Sequence, residues 1–173
     1  APSKTPYQQG ISAIVARAPW LAAKGPTSGA KTLNYLANVM WTREARAAGA
    51  DEAIVVGHAD ALLEGATSNV FVVHEGVVST PSLDAGILAG LTRGFVLKSA
   101  ASVGVRVREA PLTLADLWTA DEVFLTSSVR ELVPVVKVDD HEVGDATPGP
   151  VTRTLHRAYR ALTPAAGAPM PWA

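Results

Sequence analysis

Two kinds of apolar pattern follow one another along the chain: short runs rich in β-branched residues, and longer segments whose apolar residues recur every three or four positions. The short runs predict β-strands at residues 10–17, 52–57, 69–74, 77–80, 105–109, 121–126, 132–138 and 141–143. The helical spacing predicts α-helices at residues 33–49, 91–102, 113–118 and 150–162. Because strands and helices mix without strict alternation, the pattern predicts an α/β or α+β domain with a mixed sheet.

The first predicted helix is amphipathic. Its apolar positions are Leu33, Leu36, Val39 and Met40, and charged residues supply the opposite face. Gly49 follows as a suitable residue to end the helix, because glycine adopts the left-handed conformation that closes many helices.

Composition and charge exclude several classes of function. The chain has 173 residues, 48% of them hydrophobic and 18% charged, which fits one globular domain with a core. The formal net charge of −1 gives no reason to expect nucleic acid or an anionic membrane as a partner, and no apolar run approaches the roughly 18 residues of a membrane span. The absence of cysteine excludes disulfides and thiolate metal sites and favours a cytoplasmic location. The four histidines show no zinc-binding spacing, so no metal site is predicted.

The distribution of proline and alanine suggests how the chain is organised. Residues 1–10 start without methionine on a Pro/Ser/Lys/Thr stretch that is typical of an interdomain linker, so we expect the remnant of a linker there. Residues 11–163 are interpreted as one folded domain. Residues 164–173 are rich in alanine and proline, and we expect a flexible tail.

Lys31 is the first candidate for chemistry. Taken alone, a lysine is far more often a solvated surface charge than a catalytic group. Lys31, however, follows the flexible segment Gly25–Ala30 and directly precedes the first amphipathic helix. An amine at such a loop-to-helix junction can be desolvated and become a nucleophile, as in lysines that form Schiff bases.

Three further positions could complete a site. Glu64 stands between two leucines and a turn of small residues, and is either a partly buried carboxylate or an ordinary turn residue. Leu91 and Thr92 follow Gly90 at a predicted helix start, which can bind phosphate or can simply be an N-cap. Ser127 and Ser128 follow a strand and offer either further phosphate donors or only a turn. Glycine-rich nucleotide-binding loops are absent.

Taken in order, these segments resemble the class IV pyridoxal-phosphate aminotransferase family, also called fold type IV. The resemblance runs from about Tyr7 to Leu162. It is carried by an ordered series of short blocks: Lys-Thr-Leu-Asn at 31–34, Arg-Glu-Ala at 43–45, Ala-Asp-Glu-Ala at 50–53, Glu-Gly at 64–65 with Ser-Asn-Val-Phe at 68–71, Gly-Leu-Thr-Arg at 90–93, Asp-Glu-Val-Phe at 121–124, Thr-Ser-Ser at 126–128 and Glu-Leu-Val-Pro-Val at 131–135. A single block would be weak evidence, whereas the ordered series is specific.

The resemblance implies a fold, a cofactor and roles for individual residues. The fold would be a mixed-sheet α/β pseudo-barrel, and the cofactor would be pyridoxal 5'-phosphate. Lys31 matches the lysine that binds the cofactor and moves the Cα proton. Glu64 matches the carboxylate on the pyridine nitrogen, and Tyr35 a tyrosine near the phenolic oxygen. The phosphate donors correspond to Leu91, Thr92, Ser127 and Ser128, and the substrate contacts to Val129 and Arg130.

The resemblance also leaves alternatives open. Lys-Thr-Leu-Asn-Tyr is one residue shorter than the pattern of branched-chain enzymes, which favours the lyase or D-amino-acid branch. With Arg130 as a receptor for substrate carboxylate, our first hypothesis is a 4-amino-4-deoxychorismate lyase that releases pyruvate. The alternatives are an aminotransferase for branched-chain or D-amino acids, and a catalytically incomplete structural domain. The family's N-terminal small domain is expected to be missing from this chain, and a homodimer is expected.

Overall fold

The computed structural model of the chain describes residues 5–18 and 29–162. The strands are β1 Ile11–Arg17, β2 Glu52–Val56, β3 Leu62–Gly65, β4 Asn69–His74, β5 Val77–Pro81, β6 Arg106–Ala110, β7 Glu122–Ser127, β8 Glu131–Val138 and β9 His141–Glu142. The helices are α1 Thr5–Gln9, α2 Leu36–Ala47, α3 Leu91–Ser99, α4 Leu114–Trp118 and α5 Pro150–Leu162. Every strand and helix predicted from the sequence is present. Strand β3 and helix α1 are additional, because each is too short to show a period.

The described strands form one mixed sheet in the order β3-β2-β1-β8-β7-β4-β5-β6, with β9 paired to β8. The pairs β1–β2, β1–β8 and β5–β6 are parallel, and the other neighbours are antiparallel. The two edges of the sheet approach each other, because Ala61 forms a bridge with Thr113 and the Leu62 N–H donates to the Leu112 carbonyl at 2.9 Å. The sheet therefore curls into the expected pseudo-barrel.

Alternating side chains of the central strands fill two cores. On one face, Val70 and Val72 of β4 pack with Leu125 of β7 in a cluster that also contains the residues of α4. On the other face, Phe71 and Phe124 stack with ring centroids 4.7 Å apart, beneath α3 and α5. Both faces of the central strands are thus buried, and this burial explains why their sequences are nearly continuous apolar runs.

Helix α2 does not pack on the sheet through its large apolar residues. It packs through Ala45. Ala45 is fully buried in a cluster of small residues of β1 and β2, with Trp41 partly buried beside it. Leu36, Val39 and Met40 are instead 69%, 48% and 52% exposed. A small side chain brings the helix backbone close to the sheet, and the larger apolar residues then lie outside. The described part of the chain thus leaves an apolar surface uncovered.

Part of the predicted linker packs on the domain. Residues 5–9 form α1, where the Tyr7 side chain is only 1% exposed and its hydroxyl donates to the Arg130 carbonyl at 2.9 Å. This stretch is therefore ordered against the domain, and its origin as part of an interdomain linker stays a prediction. Residues 1–4, most of the predicted loop between β1 and Lys31, and the predicted tail 164–173 lie outside the described residues. Among the described helices, none combines the length and apolar character needed to cross a bilayer.

A buried carboxylate caps the start of α5. Glu122 Oε1 accepts the Val151 N–H at 2.9 Å, and its Oε2 accepts the N–H and the hydroxyl of Thr152 at 2.8 and 2.7 Å. A Cβ at Gly149 would overlap this carboxylate, so glycine lets the chain pass close to it. The charge satisfies helix amides that have no partner within the helix.

We expect Glu122→Gln to lower the free energy of unfolding by about 1–3 kcal/mol, because it removes a buried charged acceptor but keeps the shape of the side chain. Urea unfolding monitored by circular dichroism measures the change. Glu142→Gln on the exposed strand β9 is the control and should stay within about 0.5 kcal/mol of the wild type. Equal effects of the two substitutions would contradict this capping role.

Candidate functional site

A pocket of about 960 Å³ is lined by four separate segments of the chain. They are the loop before α2, the end of β3 with its following turn, the residues leading into α3, and the β7–β8 turn, and residues of α2 and of the start of β2 complete the lining. Every residue proposed from the sequence lines this pocket: Lys31, Tyr35, Glu64, Leu91, Thr92, Ser127, Ser128, Val129 and Arg130. Strand pairing explains why distant segments meet, because Asn69 at the start of β4 lies opposite Thr126 near the end of β7.

Glu64 is a half-buried carboxylate within β3 and not a turn residue. Its Oε2 accepts the Asn69 side-chain amide and the Leu88 N–H, each at 3.2 Å. Burial raises the pKa of Glu64 to about 7, and the Leu88 hydrogen bond and the positive charges of Arg93 and Lys31 oppose that rise only in part. A carboxylate so placed is stabilised by any cationic N–H that enters the pocket.

Asn69 connects Glu64 with the start of α3. It is 4% exposed, and its amide nitrogen also donates to the Leu88 carbonyl at 2.8 Å. A Cβ at Gly90 would overlap Asn69 Oδ1, so glycine allows the segment before α3 to lie directly against Asn69. Asn69 has no role among the residues predicted from the sequence. The available signal was an amide side chain at the first position of an otherwise apolar strand.

Lys31 lies in the pocket but is exposed. Its Nζ is 5.7 Å from the centroid of the Tyr35 ring, and its charge lowers the pKa of Glu64. The expected loop-to-helix junction is displaced, because α2 begins not beside Lys31 but at Leu36, and the desolvation of the amine stays a prediction. Leu33 is fully exposed, so it offers no packing that would extend the helix back to Lys31.

Tyr35 lines the pocket close to Lys31 and is influenced by the charges of two of its carboxylates. Burial raises the pKa of Tyr35, and the negative charges of Glu52 and Glu64 add to the rise. The phenol therefore keeps its proton at neutral pH and remains a hydrogen-bond donor.

The opposite side of the pocket offers donors for an anion. Leu91 and Thr92 begin α3, whose first amides have no partner within the helix and lie at the positive end of its dipole. The Leu91 side chain is 77% exposed, so its backbone is the relevant part. The Ser127 hydroxyl accepts the Arg130 N–H at 3.1 Å and keeps its own hydrogen to donate, and Ser128 follows it in the same turn.

Arg130 does not face the pocket as a free cation. Its guanidinium binds the carboxylate of Glu52, which is 1% exposed, and approaches the Thr67 hydroxyl at 3.5 Å. The expectation that Arg130 is available to a substrate carboxylate is therefore not supported. Val129 lines the pocket and is 81% exposed, and its contact with substrate stays a prediction. Glu52 was missed, although a carboxylate at the start of an all-apolar strand signals a buried ionic partner.

Comparisons with known sequences and structures show what this chain is similar to. The sequence profile described as amino-transferase class IV matches residues 1–138. The putative branched-chain-amino-acid aminotransferase of Methanocaldococcus jannaschii is 37% identical over 153 residues, which cover 88% of this chain and 53% of that protein. The D-alanine aminotransferase of Bacillus licheniformis is 39% identical over 155 residues, with coverages of 88% and 52%. The crystal structure of the T.th. branched-chain amino acid aminotransferase with pyridoxamine 5'-phosphate superposes with a TM-score of 0.82 at 33% identity, covering 90% of this chain and 52% of that chain.

The chain therefore belongs to the class IV aminotransferase family, a family of pyridoxal-phosphate-dependent enzymes. The family resemblance, the mixed-sheet α/β fold class and the use of pyridoxal 5'-phosphate by this family, all inferred from the sequence, are confirmed. The chain spans about half the length of the curated relatives it matches.

The residues of the pocket fit the family's cofactor. Pyridoxal 5'-phosphate presents an aldehyde, a ring nitrogen and a phosphate, and the pocket holds a complementary group for each. Lys31 offers an amine, Glu64 a carboxylate, and the α3 amides with the Ser128 hydroxyl offer donors to an anion. The Thr126 hydroxyl is buried in the same wall and has no hydrogen-bond partner among the described residues.

We expect the stability of the cofactor-free chain to fall between about pH 5 and pH 8 because of Glu64. Its pKa of about 7 in the folded chain lies above its ordinary value of 4.5, so the folded state binds more protons than the unfolded state in this range. Glu64→Gln removes this titration and should gain up to about 3 kcal/mol of unfolding free energy relative to the wild type as pH rises.

Urea unfolding at several pH values tests this expectation. The exposed substitution Glu142→Gln should leave the pH dependence as it is in the wild type. The account of Glu64 is wrong if Glu64→Gln and the wild type lose stability equally over this pH range.

Proposed function

We propose that this chain is the cofactor-binding part of an amino-acid aminotransferase that uses pyridoxal 5'-phosphate. The observation that supports the proposal best is that an amine, a raised-pKa carboxyl group and the amino end of a helix line one pocket. When bound, the cofactor supplies an electron sink that accepts negative charge from the substrate's α-carbon.

Each pocket residue then has a chemical task. Lys31 would hold the cofactor through its aldehyde, and the Lys31 amine, once free of the cofactor, would carry the proton that leaves and returns at the substrate's α-carbon. The Glu64 carboxylate would keep a proton on the ring nitrogen, and Tyr35 would donate to the phenolic oxygen. The amides of Leu91 and Thr92 with the hydroxyls of Ser127 and Ser128 bind the phosphate.

An amino-acid aminotransferase fits these observations better than our first hypothesis, a 4-amino-4-deoxychorismate lyase. The relatives described above are named as branched-chain and D-alanine aminotransferases. In addition, the pairing of Arg130 with Glu52 removes the argument that Arg130 receives a second substrate carboxylate. The proposed substrate is an amino acid, bound through its carboxylate, and the choice between branched-chain and D-amino acids stays open.

The surface beside the pocket supports a proposal about partners. Leu36, Val39 and Met40 leave an apolar face exposed on α2, next to Lys31 and Tyr35 in sequence. A contiguous apolar surface of this kind is typical of an interface. We infer that it is covered in the complete protein, by the small N-terminal domain of the family or by a second subunit of a homodimer. The cytoplasmic location remains a prediction.

Reduction of the cofactor–protein adduct tests the central assignment. We expect the purified chain, mixed with pyridoxal 5'-phosphate and reduced with borohydride, to carry the label on Lys31 when its peptides are mapped by mass spectrometry. Lys31→Ala should lose the label, whereas Lys137→Ala on the exposed part of β8 should keep it. Labelling at another lysine, or none at saturating cofactor, would contradict the proposal.

The reaction type is tested with the cofactor-loaded protein. We expect a single turnover with an amino acid to convert the bound cofactor to its amine form and to release the matching 2-oxo acid. D- and L-amino acids assayed in parallel decide the stereochemical branch. Pyruvate release from 4-amino-4-deoxychorismate without amino transfer would instead establish the lyase.

A further inference from the structure

Glu52, Thr67 and Arg130 meet beside the pocket, although they come from three separate parts of the chain. Glu52 begins β2, Thr67 lies in the turn between β3 and β4, and Arg130 lies in the turn between β7 and β8. The Thr67 hydroxyl donates to Glu52 Oε2 at 3.0 Å, and Arg130 Nη2 binds the same oxygen. All three residues line the pocket.

Burial shows which residue fixes the others. Glu52 is 1% exposed in a strand whose five residues are all buried, whereas the Arg130 side chain is 30% exposed. A buried carboxylate requires a charged or hydrogen-bonding partner, and among the described residues the other oxygen of Glu52 accepts only the Ala53 N–H, at 3.2 Å. An arginine with partial access to solvent has other possible positions. Glu52 therefore holds Arg130, and not the reverse.

Arg130 in turn fixes the main chain of the β7–β8 turn. Its N–H donates to Ser127 Oγ, and its carbonyl accepts the Tyr7 hydroxyl. The following residue, Glu131, has a φ of 54°, a left-handed conformation that is costly for a residue with a side chain. Contacts made by residues 130 and 131 therefore maintain a strained turn that presents Ser127 and Ser128 to the pocket.

Thr67 connects the same carboxylate to the other side of the site. It lies three residues after Glu64 and two before Asn69, in the turn that follows the ring-nitrogen carboxylate proposed above. Glu52 thus joins the turn that follows Glu64 to the turn that carries Ser128. These two turns hold opposite ends of a cofactor, and their separation has to match its length.

We propose that Glu52 is a positioning residue for the cofactor phosphate, acting through Arg130. The proposal rests on the proposed function, because it takes Ser127 and Ser128 as phosphate donors. Glu52 itself touches neither the phosphate nor the substrate. Loss of its charge releases the guanidinium, loosens the turn and weakens phosphate binding, while it removes no hydrogen bond of Glu64.

The test compares pyridoxal 5'-phosphate with pyridoxal, which lacks the phosphate. The dissociation constant of each is measured from cofactor absorbance and from borohydride labelling of Lys31, in the wild type and in Glu52→Gln. We expect Glu52→Gln to weaken binding of pyridoxal 5'-phosphate by about tenfold, the size of one charge-assisted hydrogen bond. Binding of pyridoxal should change less than about twofold, so the preference for the phosphorylated ligand falls.

Two controls separate positioning from general destabilisation. Glu122→Gln also alters a buried glutamate that accepts main-chain N–H groups, but it lies at the start of α5 and should leave this preference unchanged. In the Arg130→Met background, Glu52→Gln should have no further effect on the preference, because the group through which it acts is gone.

The outcomes distinguish this proposal from the proposed function. If the wild type does not bind pyridoxal 5'-phosphate on Lys31, the proposed function fails. If the wild type binds it and Glu52→Gln weakens both ligands equally, Glu52 has no positioning role. If Glu52→Gln lowers the preference for pyridoxal 5'-phosphate over pyridoxal equally in the wild-type and Arg130→Met backgrounds, Glu52 does not act through Arg130.

Discussion

The antiparallel pairing of β4 with β7 is the constraint on which the site depends. It sets Asn69 opposite Thr126 and Phe71 opposite Phe124, and the two phenylalanine rings stack in the core beneath α3 and α5. Side chains on both faces of these strands are buried, so a shift of one residue would exchange the two core faces. The register is therefore well determined. It brings the end of β3, with its carboxylate, beside the turn that carries the serine hydroxyls.

Two carboxylates in this framework have opposite tasks. Glu64 lines the pocket, and its hydrogen bond and the nearby positive charges do not offset the cost of burying its charge. Burial raises its pKa to about 7, so a cationic nitrogen is the partner that it lacks. Glu52 is more deeply buried, and it already has an ion pair with Arg130 and a hydrogen bond from the Thr67 hydroxyl. An incompletely paired charge is suited to binding a ligand, whereas a paired charge is suited to holding the protein in place. The difference follows from the neighbours of each carboxylate, since the two side chains are chemically the same.

The sequence was sufficient for whatever is encoded locally. Alternating and continuous apolar runs predicted the strands, and Lys31, Glu64 and Thr92 could be selected from their position between elements. Contacts between distant segments could not be predicted in this way. The Glu52–Arg130 pair joins residues 78 positions apart, and Asn69 acquires its role only when the loop before α3 lies against it.

The orientation of α2 illustrates the same limit. Helical spacing identified its apolar residues, but the spacing does not state which partner covers them. The sheet takes up the small Ala45, and Leu36 and Met40 remain outside. An exposed apolar face predicts an interface. Because this chain spans about half the length of its relatives, the partner at that interface can be a segment that the chain does not contain.

A crystal structure of the chain after borohydride reduction with pyridoxal 5'-phosphate tests the central claim most directly. We expect a covalent bond from the cofactor to Lys31 Nζ, the ring nitrogen against Glu64, and the phosphate between the start of α3 and Ser128. A phosphate bound away from α3, or a ring nitrogen without contact to Glu64, would contradict it.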